Sequence, residues 1–460
     1  MMVQRILTIA GLTWKAAFRF RVFWVLAVLL MGSVIVLPLI LKDDQSARGF
    51  IQIMLTYTLG VITTLLGMAT LWIACGTLAR DVDDCSMQMV AVKPIGRWEI
   101  WVGKWLGIMA VNALLLVLAG TCVYGLILWR ARQLSPAQQE ILRNEVMVAR
   151  GSLREPLPDI EQQTDQVLKD RLKDVVPSGV NLRQVRATVR EQVKAYNQVV
   201  PPNRLRRWQI PLGLRKDLLR DLPMTLRLKF YAISTNGAGT YAGVIEVGPP
   251  DSPQRRSLTA RLASDTHHEL SIPPNLWDDH GVLTVDFQNR DTVSLLVPLE
   301  DGLEVLYREG GFGWNFARGL GIIFCWLALL TTVGLSASSF LSFPVAAFCS
   351  VSLLLVGFST GSLSYAIEYG SVMGMNEESG ASAHSALDLV LIPLFKALVG
   401  VFSLTQSFSP VDSLSTGRSI TWGELGRAFA QIVLVLGGPI ALAGIWLFTR
   451  RELATAQNNS

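Results

Sequence analysis

Charge is scarce in this chain. Asp, Glu, Lys and Arg make up 17% of the 460 residues, against about 25% in soluble domains. With 50% hydrophobic residues and a mean hydropathy of +0.38, the composition excludes an ordinary soluble enzyme and implies a membrane protein with a sizeable polar part. The net charge of +5 and pI near 9.0 would suit nucleic acid. However, Arg and Lys cluster beside apolar runs, where they act as topology determinants, so no nucleic-acid partner is expected. Cysteine is sparse too. Cys75, Cys85, Cys122, Cys325 and Cys349 all fall in or beside apolar segments, with no CxxC pair, which supports neither a disulfide framework nor a thiolate metal site. No GxxxxGK[ST] motif occurs. The nearest string, GRWEIWVGKW, has the wrong spacing and a tryptophan where a metal-binding hydroxyl is required. Any nucleotide energy must come from another polypeptide.

There are only four histidines. His267-His268-Glu269 and Asp278-Asp279-His280 would make a divalent site only if the strand between them folded back. Neighbouring histidines on a strand point to opposite faces, and there is no HExxH or His-x-His spacing, so these residues are expected in solvated loops and no metal is assigned. His384 and Asp388 have the i,i+4 spacing of a helical pair. A helix-start cluster at the water interface explains them better than a proton relay. An intramembrane enzyme using Glu368, His384 or Asp388 is the weakest reading, and no catalytic residue is assigned.

What the chain does have is long apolar runs. Met1 to Arg21, with Arg5, Lys15, Arg19 and Arg21 among bulky apolar residues, reads as an interfacial helix leading into a first span at 22–41. A cleaved signal peptide is the rival, but the apolar run is about span length and ends without a small-residue cleavage site. Spans two and three are expected at 50–78 and 105–129, a fourth at 316–335, a fifth at 343–358 and the last at 428–448. Residues 387–404 contain Asp388, Pro393 and Lys396. A full crossing there would send Arg450-Arg451 outside, against the charge rule, so a re-entrant segment is expected. The positive-inside rule places both termini in the cytoplasm of a plasma (inner) membrane and the segment after Trp129 outside.

That insert has two halves. Ser135-Pro136 opens a helix, and 158–175 and 181–199 carry Val and Leu at three- and four-residue spacing. From Met224 the pattern becomes six short alternating runs, 225–234, 241–248, 257–264, 268–273, 281–288 and 293–299, with NGAG, PPDSP, PPN and NRD turns between them. In the run 225–234, Leu226, Leu228, Phe230 and Ala232 form the expected buried face and Arg227, Lys229 and Tyr231 the wet one. The predicted fold is an α-helical polytopic membrane protein of six spans plus a re-entrant segment, with an inserted extracytoplasmic α+β module ending in an antiparallel β-sandwich. The expected divisions are a membrane part at 1–130 with a cytoplasmic loop at 80–104, a helical region at 131–202, the sandwich at 203–315, a second membrane part at 316–453 and a polar tail at 454–460.

The stretch from Arg80 to Gly107 is too charged to lie in lipid yet is tied to the membrane at both ends, which suits docking of a soluble partner. Trp98, Trp101 and Trp105 are expected to anchor it at the interface. Gly103 and Gly107 form a GxxxG pair that would let a helix approach closely. KPIGRWEIWVGKWLG, preceded by Arg80-Asp81, resembles the membrane subunits of ABC transporters of the type-2 permease family. There a Pro-x-x-Arg core and a Gly-Lys pair join the second and third spans. Lys93, Pro94, Arg97, Glu99, Gly103 and Lys104 occupy those positions, and Ser409-Pro410-Val411-Asp412 and Arg450–Leu453 resemble later parts of the family pattern. Asp84-Cys85-Ser86 depart from it, and the insert is larger than in simple members. The resemblance implies a permease that pairs with a second copy or a paralogue and binds cytoplasmic ATPase subunits through Arg80, Asp81, Lys93, Pro94, Arg97, Glu99 and Lys104. ATP and magnesium would then sit on the partner and no cofactor in this chain, with membrane lipid as the remaining contact. A receptor or scaffold that transports nothing is the alternative.

Overall fold

The computed structural model describes residues 2–19, 21–40, 47–83, 95–174, 182–235, 237–250, 252–369, 388–406 and 408–451. In chain order, α1 is Met2–Arg19, α2 Arg21–Ile40, α3 Ala47–Asp83 and α4 Arg97–Ala131. The Ser135 hydroxyl accepts from the Gln138 amide and caps α5, Pro136–Ile141. Then follow β1 (Val148–Leu153), α6 (Ile160–Asp174), α7 (Leu182–Gln198), β2 (Val199–Val200) and β3 (Leu205–Pro211). Strands β4 (Met224–Leu228), β5 (Tyr231–Ala232), β6 (Thr240–Val247) and β7 (Arg256–Ala263) come next. They lead to β8 (His268–Ile272), β9 (Val282–Asn289), β10 (Leu295–Leu296) and β11 (Leu303–Gly311). The chain continues through α8 (Phe312–Ser338), α9 (Phe343–Phe358), α10 (Thr360–Tyr369), α11 (Asp388–Gln406) and α12 (Pro410–Ser415). It closes with α13 (Trp422–Ala428), a π-helical stretch Phe429–Gly437 and α14 (Gly438–Arg450). The chain divides into two compact units, one helical and one spanning mainly Ala149–Gly310.

Five helical stretches of the described residues are long and apolar enough to cross a membrane, or six if the bent pair α1–α2 forms one span. The number is close to that expected from sequence, but the membership differs. Phe343–Phe358 has only 16 residues, short of the roughly 20 a crossing needs. Asp388–Gln406, expected to be re-entrant, is one helix with Pro393 inside it, and Asp388–Ser415 meets the length and composition for a span. In the last run, Pro439 has no N–H to give and its ring crowds the carbonyl one turn back. The wide turns of Phe429–Gly437 lie just where that strain falls.

Side-chain contacts sort the helix ends into two groups. In the first, Arg97 at the start of α4 reaches the carbonyls of Phe448 and Thr449 at the end of α14, and Lys104 pairs with Asp81 near the end of α3. Arg451 reaches the carbonyls of Ser338 and Ser339 where α8 stops. In the second, Asn315 at the start of α8 donates to the carbonyl of Arg418 at 2.8 Å and accepts from the Ile420 amide at 2.7 Å. Trp314 lies 6.5 Å from Trp422 there. The chain thus leaves α8 at one end and begins α13 at the other. That requires a net single crossing between them, which complete crossings by both α9 and α11 would not give.

The second unit contains two four-stranded sheets, ordered β1-β11-β4-β8 and β3-β9-β6-β7, and a three-stranded sheet β2-β10-β5. The ladders β11–β4, β4–β8, β3–β9, β9–β6, β6–β7, β2–β10 and β10–β5 are antiparallel. Trp208, Leu226, Phe230, Ile245, Phe287 and Val305, drawn from several strands, share one apolar core. The expected strand 225–234 is interrupted between β4 and β5, and of its expected wet face Tyr231 is exposed and Lys229 half-buried, but Arg227 is not wet. Arg227 is 3% exposed, held at 2.7 Å by Glu269 and at 3.1 Å by Glu304. In the other sheet Asp286 is buried between Arg207, which binds it through two 2.8 Å bonds, and Arg255. His267 and His268, expected in a solvated loop, are half-buried, and His268 Nε2 lies 2.8 Å from the Ala263 carbonyl. Among the described residues no His, Cys, Asp or Glu group of three or more is placed to hold a metal ion.

Candidate functional site

The charged stretch between the second and third long helices is less of a loop than its composition implies. Arg80 and Asp81 are in the last turn of α3, and Arg97, Glu99 and Lys104 belong to the first turns of α4. Lys93 and Pro94 lie outside the described residues. Gly96, in extended conformation, starts α4, and the Glu99 carboxylate accepts from the Gly96 amide at 3.1 Å. A carboxylate at the third helical position satisfies one orphan amide and complements the helix dipole.

Most of these side chains turn inward. Arg97 Nη1 donates to the carbonyls of Phe448 (3.0 Å), Thr449 (2.9 Å) and Arg451 (2.6 Å). A guanidinium thereby covers carbonyls that the end of α14 leaves without helical partners. Lys104 Nζ donates to the Thr77 carbonyl at 2.8 Å and pairs with Asp81, and only 5% of the residue is exposed. Glu99 is equally buried, with Arg5 of α1 at 3.9 Å. Arg80 faces outward and stacks its guanidinium over the Phe343 ring at 4.8 Å.

The three tryptophans do not act alike. Trp101 is buried, Trp105 Nε1 donates to the Thr332 hydroxyl at 2.9 Å, and only Trp98 presents an exposed ring. They therefore do not form the common interfacial anchor expected from sequence. The glycines have a definite place. A Cβ on Gly103 would stand 2.7 Å from the Ile9 Cβ, and one on Gly107 would stand 2.6 Å from the Thr13 Cβ and 2.8 Å from the Ala10 carbonyl. The series Arg5–Glu99, Ile9–Gly103 and Thr13–Gly107 advances four residues on each helix, so α1 runs parallel to α4 in close backbone contact.

The sequence-named residues Arg97, Glu99, Lys104 and Asp81 thus meet in one intramolecular junction, while Arg80 stands at its edge. Sequence reasoning missed Arg5, Thr77 and Arg451 as partners. Arg451 was visible as half of a basic pair after the last span, and Arg5 as a topology charge. Thr77 contributes only a backbone carbonyl, which no residue type announces. What the arrangement can do is mechanical: four helix ends, those of α3, α4, α8 and α14, are tied to one corner by the buried Lys104 and the half-buried Arg97 and Arg451. The long apolar helices mark a multi-pass membrane protein. No family model, curated protein or solved structure matches the chain.

Proposed function

We propose that the chain is the membrane-spanning permease subunit of an ATP-driven transporter of the ABC type-2 class, coupled to a separate cytoplasmic ATPase. The observation that carries this reading is the corner where Arg97 ties the start of α4 to the end of α14 and Lys104 ties α4 to α3. A partner pressing on the short connection 84–96 would move α4. Through these ties α3 and α14, and through Arg451 also α8, would have to follow. Lys93 and Trp98 are the residues of choice for the partner's own contact, since Arg97, Glu99 and Lys104 serve the junction. In this reading the corner and both termini face the cytoplasm of the plasma (inner) membrane. The sheets of the second unit form an extracytoplasmic sandwich, and a second copy or paralogue completes the pore.

The test is co-purification of the tagged full chain with the ATPase encoded beside it, together with ATPase activity in nanodiscs. Charge reversal at Lys93 together with Trp98→Ala is expected to abolish association while the chain remains monodisperse. Full association in that variant, or biological activity without ATP hydrolysis, would refute the permease reading in favour of a receptor or scaffold.

A further inference from the structure

A groove of about 760 Å³ lies where α1, α3 and α4 come together, with the first turns of α2 at its side. This falls within the ~300–1,000 Å³ typical of ligand pockets. Ile9, Leu12 and Ala16 of α1, Leu26 of α2, and Ile108 and Leu115 of α4 line most of it with hydrocarbon. One end is different in kind: Arg5, Arg80 and Lys104 gather there with one carboxylate, Asp81. Lys104 is already paired with that carboxylate, and Arg5 stands 3.9 Å from Glu99, so the surplus at this end is one positive charge. Among the described residues Arg80 has no ion pair, only the Phe343 ring beneath its guanidinium. Leu12 and Trp72 on the groove wall expose more than half of their surface, at 62% and 53%. On a membrane-spanning helix, such surface faces hydrocarbon rather than water.

We infer that this groove holds one anionic membrane lipid, its acyl chain along Ile9, Leu12 and Leu115 and its phosphate against Arg80. The excess of positive charge at one end selects an anionic headgroup, and the exposed apolar wall gives a chain lateral access from the bilayer. An extended peptide would leave backbone amides unsatisfied against these walls. The lipid also bears on mechanism, because α1 packs on α4 along the Gly103–Gly107 seam and the groove flanks that seam. An occupied groove would hold α1 in place beside the helix that leaves the charged corner. The inference rests on the membrane-spanning character of these helices and not on the permease reading. Absence of an ATPase partner would leave the lipid result untouched.

Native mass spectrometry of the full chain in nonionic detergent, titrated with phosphatidylglycerol or phosphatidylcholine, tests it. One phosphatidylglycerol per chain should be retained, with phosphatidylcholine bound about tenfold more weakly. Arg80→Gln should weaken phosphatidylglycerol about fivefold and leave phosphatidylcholine unchanged, and Arg80→Lys should restore most of the difference. Ala16→Trp, which fills the groove, should remove both lipids. If that variant aggregates, Leu12→Phe on the exposed rim serves instead. Equal retention of the two lipids, an unchanged phosphatidylglycerol affinity in Arg80→Gln, or displacement of the lipid by glycerol phosphate alone would overturn the assignment.

Discussion

Replacing Arg227 by methionine should cripple the second unit without touching its apolar core. Arg227 lies at the middle of a cross-strand row in which Glu304, Arg227 and Glu269 are register partners on β11, β4 and β8. Its guanidinium gives Nε and Nη2 to Glu269 at 3.0 and 2.7 Å and Nη1 to Glu304 at 3.1 Å. The three side chains are 3%, 7% and 0% exposed. Methionine keeps the bulk but leaves two buried carboxylates short of a cation. Each retains one arginine, Arg150 at 2.8 Å for Glu269 and Arg154 at 3.1 Å for Glu304, so neither becomes wholly unpaired. Removing one partner of a buried pair costs about 3–5 kcal/mol. For a unit of this size each kcal/mol moves the midpoint by about 2–4 °C, so a fall of roughly 6–20 °C is expected. Temperature-dependent proteolysis of the full chain in detergent, following cleavage within 149–310, measures it. The triple variant Arg227→Met, Glu269→Gln, Glu304→Gln should not recover the loss, because Arg150 and Arg154 would then face no carboxylate. A midpoint within about 2 °C of wild type would refute the argument and show that the row behaves as a hydrated surface pair.

Four further outcomes follow from the same geometry. Gly107→Leu should cost about 1–3 kcal/mol by overpacking and detach α1 from α4, read as faster maleimide labelling of a cysteine placed at Ala10. Arg97→Gln should uncover the last carbonyls of α14, raising amide exchange around 448–451 by about 10- to 100-fold. Single cysteines at Ser339 and Arg451 should label from one side of the membrane and one at Arg418 from the other; a common side would refute the sorting of helix ends. Lowering the pH should destabilise the second unit in two steps. Burial, with Arg227 and Lys229 nearby, holds His267 below the ordinary 6.5. Burial tends to raise Asp286, but hydrogen bonds from Arg207 and Arg255 outweigh it and leave that group below 3.8. In both cases the unfolded chain binds the proton more readily. Stability is therefore full above pH 6.5, falls toward the lowered His267 value, and falls again below 3.8 as Asp286 is protonated. His267→Gln should flatten the first step in thermal melts run from pH 8 to 3.

Length and hydropathy alone determined where the long helices run, because an apolar stretch of twenty or more residues has few alternatives to a helix in lipid. The same holds for the turns of the insert, where Pro, Gly, Asn and Asp restrict the backbone locally. Alternation also located β6, β7, β8 and β9 within a residue or two. β1, β3 and β11 went unnoticed because Arg150, Arg207, Glu304 and similar residues interrupt the apolar pattern. Arg150 and Glu304 are buried by pairing across strands, and Arg207, itself exposed, covers the buried Asp286; pairing is a property of neighbours, not of the strand itself. For the same reason Arg227 was assigned to water. The charged stretch beginning at Arg80 was legible as a special place between two helices. Its inward-facing half was not. Whether Arg97 and Lys104 wait for a partner or tie helices together depends on carbonyls of residues 448–451 and 77, and only the tertiary structure brings those within reach.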